Sequence, residues 1–424
     1  MLYDMGFTIF SLFYLPTLIF KGKLHKDFGE RFGAFSAAKR RALERGRDAI
    51  WIQAVSVGEV ALCRSLIPAL KDRFPASSIV FSTITRAGNE LAVKLFSKDA
   101  TVIYFPLDLS FIVKKVSALI RPRVYVMVET EIWPNLIKAL SGRPGGTSMV
   151  IINGRISDRS FGKYHMARGF LRSALDRIGA FCMQSDVDAG RIVAIGASKD
   201  KVRVTGNMKF DADTASVGSG DSIRSMLGLR PEEELFVAGS THKGEEAAVL
   251  SVFKRLSQEF PGMRLLIAPR HIERSKEVEH AIRGAGFQPL RVSQAQARED
   301  RSARHVFVLD TIGQLNGVFS IASLVFVGGS LVRHGGQNPL EPASFGKPIL
   351  FGPHMFNFRG IADTLLKNDA AVQVGNAGEL FRESAALLRD RNRARDIGWN
   401  AKRTLNANRG ATLRNVEAIM KASR

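Results

Sequence analysis

Short β-rich runs alternate with longer amphipathic stretches along most of this chain, and the alternation starts twice. The first series is Ile50–Val55, Ile79–Thr83, Val102–Phe105, Val124–Val128, Met149–Asn153 and Val202–Thr205, with helical patterns between strands at Glu59–Asp72, Ala87–Phe96 and Phe161–Arg177. The small, polar stretch Asp211–Asp221 (DADTASVGSGD) interrupts it as a linker would. The series then resumes with Leu235–Ala238, Leu265–Ala268, Val306–Leu309, Leu324–Val327 and Pro348–Phe351. Strands that alternate with helices build parallel sheets covered on both faces. The chain therefore reads as α/β, two doubly wound domains in tandem with a cleft between them. Ligands of such sheets sit beyond the carboxyl ends of the strands, so residues that follow strands are the candidates for chemistry.

The expected boundaries are 21–207 for the first domain, 208–230 for a linker and 231–424 for the second domain, with the last helix able to pack back on the first. Ahead of these, Met5–Phe20 is almost wholly apolar and is followed by Lys21, Lys23, Lys26 and Arg31. A bilayer-spanning helix needs about 20 apolar residues, so the stretch is short. Its positive charges follow the apolar core, whereas a secretory signal carries them in front. That placement puts residues 21 onward on the cytoplasmic side, and Pro16 would kink or end the helix. Residues 1–20 are read as a membrane-anchor helix, spanning or interfacial, against the alternative of a buried first helix.

Charge narrows the partners. Lys and Arg number 61 against 40 Asp and Glu, a net +21, which calls for an anionic partner: nucleic acid, a membrane surface or a phosphorylated substrate. Lys39, Arg40, Arg41, Arg45 and Arg47 form one basic cluster, and Arg155, Arg159, Lys163, Arg168, Arg172 and Arg177 a second. Each reads equally as a solvated face. Phe161, Tyr164 and Phe170 lie within the second cluster, but a helical pattern turns them to the core, so they are weak evidence for a base-stacking platform. With only Cys63 and Cys182, a disulfide framework and a cysteine-built zinc site are excluded. Phosphate-loop, dinucleotide, GxSxG and HExxH signatures are missing.

Five strand-end constellations remain. After the first strand, Ser56-Val57-Gly58-Glu59 makes a tight turn into a helix. Gly58 admits close approach, and Glu59 is either a general base or a helix cap. After the fourth strand, Glu129-Thr130-Glu131-Ile132-Trp133-Pro134-Asn135 places two carboxylates and an indole in one turn, for chemistry or for capping. Gly239–Glu246 opens the second domain's first helix, as an anion site or as a near capping box of Thr241 with Glu245. Pro269-Arg270-His271 follows another strand, and an arginine there can hold a phosphate. The richest is Gly328–Pro342, whose paired glycines and helix start at Asn338-Pro339-Leu340-Glu341 should cradle a phosphate. Glu341 there could accept bonds from ribose hydroxyls. His242, His271, His334 and His354 lack metal-ligand spacing, and the Asp211/Asp213 pair looks like a metal motif but lies in the linker.

These stretches, AVSVGE at 54–59, ETEIWPN at 129–135, GNMKFD at 206–211, GSTHKGEE at 239–246, APRH at 268–271 and VGGSLVRHGGQNPLEPASFGKPILFGPH at 327–354, resemble the bacterial 3-deoxy-D-manno-octulosonic acid (Kdo) transferases, and the similarity covers nearly the whole chain. The resemblance implies a GT-B fold, two Rossmann-like domains facing across a cleft, and inverting transfer of Kdo from CMP-Kdo to lipid A precursor. It places that reaction in lipopolysaccharide core synthesis at the cytoplasmic face of the inner membrane. It implies Glu59 as general base, with Glu129 and Lys209 stabilising the transition state. It implies a CMP site from Pro269, Arg270, Ile312, Gly313, Gln314, Asn338, Pro339, Leu340 and Glu341. Its partners are the donor, the lipid acceptor and an anionic membrane surface, with no nucleic acid, no metal and no cofactor. Two positions depart from the family: Gln314 stands where Glu is usual, and His334-Gly335-Gly336-Gln337 stands where Arg-Gly-Gly-His is usual. The competing expectations are another GT-B enzyme acting on a different nucleotide sugar, and a nucleic-acid-binding protein whose binding would weaken steeply with salt.

Overall fold

The computed structural model describes Asp4 and residues 27–143, 145–212, 220–297 and 305–423. The chain divides into two compact units, Met1–Ala212 with Asn408–Arg424, and Asp213–Ala407.

The first unit holds β1 (Ile50–Gln53), β2 (Ile79–Thr83), β3 (Thr101–Tyr104), β4 (Val124–Val128), β5 (Ser148–Gly154), β6 (Ala180–Met183) and β7 (Val202–Val204). All pair in parallel, in the order β3-β2-β1-β4-β5-β6-β7. The order reverses at β1, whose Ile50 lies between Ile79 of β2 and Val124 of β4. β4, VYVMV, is buried throughout, as a strand covered on both faces must be. Alternate side chains enter two cores: Trp51, Tyr125 and Met127 in one, Ile50, Ile52, Val124 and Val126 in the other. The second of these cores is completed by Ala411, Val416 and Ile419 from the helix Ala411–Ala422.

The second unit holds β8 (Glu234–Thr241), β9 (Met263–Pro269), β10 (Gln288–Arg291), β11 (His305–Val308), β12 (Leu324–Val327), β13 (Ile349–Phe351) and β14 (Val372–Gln373). They form a second parallel sheet, in the order β10-β11-β9-β8-β12-β13-β14. Its order reverses between β8 and β12. The molecule is thus α/β with two Rossmann-like parallel sheets.

Two stretches differ in detail from the sequence reading. Within 208–230, Met208–Asp211 is a 3-10 helix and Gly220–Leu227 an α-helix, while 213–219 lie outside the described residues. Asp211 is a cap: its carboxylate accepts from the backbone N–H of Gly410 at 2.6 Å and of Thr412 at 2.5 Å, fixing the start of the helix Ala411–Ala422. The pattern Phe161–Arg177 is two helices, Asp158–Met166 and Arg168–Leu175, broken at Ala167. Phe161 and Tyr164 pack on the core, but Phe170 is 51% exposed, so that ring does not face inward as its spacing suggested. The expected anchor, residues 1–20, lies outside the described residues except for Asp4, whose carboxylate accepts from the N–H and hydroxyl of Ser110. Among the described residues, no helix is long and apolar enough to cross a membrane.

Candidate active site

In the first unit the nominated residues emerge where the strand order reverses. β1 runs into Ser56, which caps the helix Val57–Arg73 and accepts weakly from the N–H of Glu59 at 3.4 Å. Glu59 reaches back: its carboxylate accepts from the N–H of Val55 at 2.7 Å and from the hydroxyl of Ser56 at 2.8 Å. This is a Ser-x-x-Glu capping box, so the cap and the candidate base are one side chain. Glu59 is 7% exposed. Burial and then the charge of Glu129 raise its pKa, against the lowering effect of those hydrogen bonds. Gly58 beside it is exposed, and a Cβ there would meet only the Ser56 hydroxyl, at 3.8 Å.

β4, the neighbour of β1, runs into Glu129. Its φ of 61° is uncommon for a residue with a side chain and costs of order 1 kcal/mol. Glu131 follows and accepts from the indole N–H of Trp133 at 3.2 Å. Burial above all, then the charges of Glu59 and Glu129, push the Glu131 pKa up to about 8, so it is mostly protonated at neutral pH. Lys209 stands on the 3-10 helix Met208–Asp211. Burial lowers its pKa, while Glu129 and Glu59 act to raise it, which places the ammonium in the field of both carboxylates. A cavity of about 220 Å³ opens beside this group, lined by Glu129, Thr130, Glu131, Arg155, Ser157, Ser160 and Tyr164.

Lys209 carries no local signal in the sequence, because it follows an edge strand on a polar turn. Asn153 supplies the missing link. It is fully buried at the end of β5 with φ 51°, and its side-chain oxygen accepts from the N–H of Met208 at 2.9 Å. It thereby fixes the turn that carries Lys209.

In the second unit, the candidate CMP residues lie at or beyond the carboxyl ends of parallel strands. Pro269 ends β9, and Arg270 follows it, exposed, with its N–H bonded to the carbonyl of Thr241 at 3.0 Å. Ile312, Gly313 and Gln314 follow β11. Ile312 is 84% exposed, and Gly313 has φ 89°. Gln314 accepts from the Thr311 hydroxyl at 2.6 Å. Beyond β12, Asn338 accepts from the N–H of Leu340 at 3.1 Å and its amide donates to Glu341 at 3.2 Å. Burial raises the Glu341 pKa, against that bond and the charge of Arg270.

Two expectations are corrected here. The glycine loop after β12 does not present a set of free amides to a phosphate: the N–H groups of Gly329, Ser330 and Leu331 donate to Glu245 at 2.6, 2.9 and 2.9 Å. Glu245 also accepts from the N–H of His242 at 2.9 Å and is fully buried. The chain's own carboxylate fills the anion position. Nor is Thr241 the near capping box with Glu245; its hydroxyl donates to Glu246 at 3.0 Å. The helix after Asn338, Leu340–Ser344, has five residues, too short for a large dipole.

Residues 26–212 match the family model described as 3-Deoxy-D-manno-octulosonic-acid transferase (kdotransferase). The chain is 33% identical over 373 residues to a 3-deoxy-D-manno-octulosonic acid transferase of Haemophilus influenzae, covering 87% of this chain and 86% of that one. It is 34% identical over 378 residues to the protein of that name from Chlamydophila psittaci, covering 87% and 84%. Among solved structures, a glycosyltransferase from Rickettsia africae superposes with a TM-score of 0.60 at 12% identity over 89% of this chain and 98% of that one, a likeness of fold.

Proposed function

The chain belongs to the 3-deoxy-D-manno-octulosonic acid transferases and is a glycosyltransferase, and on that premise we propose that it moves Kdo from CMP-Kdo to a lipid A precursor with inversion. The observation that carries this reading is the emergence of Glu59 and Glu129 from adjacent strands at the reversal of the first sheet, with Lys209 in the field of both. The acceptor hydroxyl attacks the anomeric carbon, a new C–O bond forms, and the bond to the CMP phosphate breaks. Glu59 takes the hydroxyl proton, for which it must be ionised and within hydrogen-bond reach. Burial opposes ionisation; the Val55 N–H, the Ser56 hydroxyl and the Lys209 charge favour it. A protonated Glu131 spares the group a third negative charge.

Lys209 and Glu129 stabilise the transition state in this reading. Pro269, Arg270, Ile312, Gly313, Gln314 and Asn338–Glu341 take the CMP. Arg270 meets the charge that develops on the leaving phosphate, a task the five-residue helix does little to share. Residues 1–20 and the basic surface, where Arg40, Arg41, Arg45 and Arg47 are exposed, hold the protein at the cytoplasmic face of the inner membrane, where it serves lipopolysaccharide core synthesis. Each such cation adds roughly 1 kcal/mol near an anionic leaflet.

The test is to incubate purified protein with CMP-Kdo and lipid A precursor and to weigh the lipid by mass spectrometry, beside Glu59→Gln. One or more Kdo additions, nearly absent in the variant, are expected, and the mass counts the sugars. No mass change with CMP-Kdo, together with turnover of another nucleotide sugar, overturns the substrate.

A further inference from the structure

Three imidazoles that are scattered in sequence meet at the strand-end edge of the second sheet. His242 leaves β8, His271 follows β9, and His334 lies in the loop after β12. The rings of His242 and His334 are stacked, with centroids 4.2 Å apart and planes at 15°. His271 meets His242 edge-on, at 6.1 Å and 87°. The amide nitrogen of Gln337 lies 3.1 Å from Nε2 of His242. An amide nitrogen only donates, so Nε2 accepts and the His242 ring is neutral.

The groups that disfavour a charge on that ring are other imidazoles and guanidinium groups, His334, His271, Arg274 and Arg270. With burial, the largest cause, they push its pKa down to about 4. The nearby carboxylates are already engaged. Glu245 holds four backbone N–H groups. Glu246 and Glu277 hold Arg274, and Glu341 lies in the field of Arg270. A proton placed on this imidazole, which is stacked on a second ring, edged by a third and rimmed by an exposed arginine, meets a repulsion that an incoming anion relieves.

We propose that His242, His271, His334 and Arg270 form an oxyanion subsite for the charged part of the donor, its phosphate or its sugar-acid carboxylate, and that the anion binds together with a proton on His242. That proton goes to Nε2, so the Gln337 amide turns over and presents its oxygen. The anion's identity as the donor's rests on the reading above; the subsite and its coupled proton do not.

The experiment is NMR of the full chain with ring-labelled histidines, titrated from pH 4 to 8 at constant ionic strength. Chloride is compared with sulfate, CMP, free Kdo and cytidine. Sulfate has no proton of its own to exchange in this range. Sulfate should raise the His242 midpoint by a pH unit or more, a tenfold coupling. CMP should do the same if the donor's phosphate occupies the subsite, and free Kdo if its carboxylate does; cytidine should leave the midpoint unmoved. Gln337→Glu should raise the midpoint without any anion, into a range far from acid unfolding. A His242 midpoint unmoved by sulfate, CMP and Kdo overturns the subsite, as does a Gln337→Glu protein whose His242 titrates as in the native chain. A sulfate shift without a CMP or Kdo shift keeps the subsite and overturns its assignment to the donor. CMP binding seen at Gln314 or Asn338, with His242 unmoved throughout, overturns the subsite and leaves the donor reading standing.

Discussion

Both sheets reverse their strand order and both crowd functional groups at the reversal, yet the two places are electrostatic opposites. At β1 and β4 the crowded groups are carboxylates, Glu59, Glu129 and Glu131, with one lysine in their field. At β8 and β12 the carboxylate is Glu245, and its oxygens are occupied by four backbone N–H groups. What faces outward there is imidazole and guanidinium. The same topological position thus carries the proposed proton acceptor in one unit and the proposed anion subsite in the other. The difference lies in whether the acid side chain is consumed by the backbone. Glu59 lies between these cases, since it caps its own helix yet remains beside an open Gly58.

The sharpest way to break this contrast is Glu59→Gln. A glutamine still accepts from the Val55 N–H, so the thermal midpoint should change little. Loss of a general base should lower turnover by about 10²- to 10⁴-fold, read by the lipid mass assay. If the variant instead unfolds with its activity per folded molecule unchanged, Glu59 is a cap and the contrast fails. Next in size is Glu245→Ala, which strands four N–H groups, those of Gly329 and Ser330 buried. It should cost about 3 kcal/mol or more, measured by denaturant unfolding.

Glu131 tests the carboxylate side by pH. Its folded pKa, about 8, lies above the ordinary carboxylate value, so the folded state holds the proton more tightly than the unfolded chain does. The stability this contributes is full below about pH 4.5 and is lost as pH rises through 8, with a slope of at most about 1.4 kcal/mol per pH unit. Glu131→Gln should flatten that stretch of the curve. The smallest effect expected is that of Asp211→Ala. Loss of this cap should cost about 1–2 kcal/mol and leave donor binding intact. A large loss of donor affinity would instead return this aspartate to the chemistry.

Much of this was legible in the sequence because strands buried on both faces are unbroken apolar runs. Ile79–Thr83, Val124–Val128 and Leu324–Val327 lie where their composition puts them. The strands that escaped notice are short or sit at an edge. β6 is four residues, AFCM, and β14 is two. β10, QPLR, contains a proline that only an edge tolerates. At the sites, Glu59 and Glu129 stood out because each is a carboxylate just past a strand. The use of Glu245 could not be read, since three of its four partners are backbone amides more than 80 residues away in the chain. The meeting of His242, His271 and His334 depends on three different strand ends, a proximity that only the sheet order creates.

The helix Ala411–Ala422 belongs to the first unit although the whole second unit separates it from the rest. During synthesis, the ribosome releases β1 to β7 long before the residues that cover one face of them. Until Ala411, Val416 and Ile419 arrive, that face remains open, a surface for a chaperone or for a neighbouring nascent chain. The second unit is continuous and meets no such delay, so it can finish folding while the first still waits. Stress during translation should therefore fall on the half that carries Glu59.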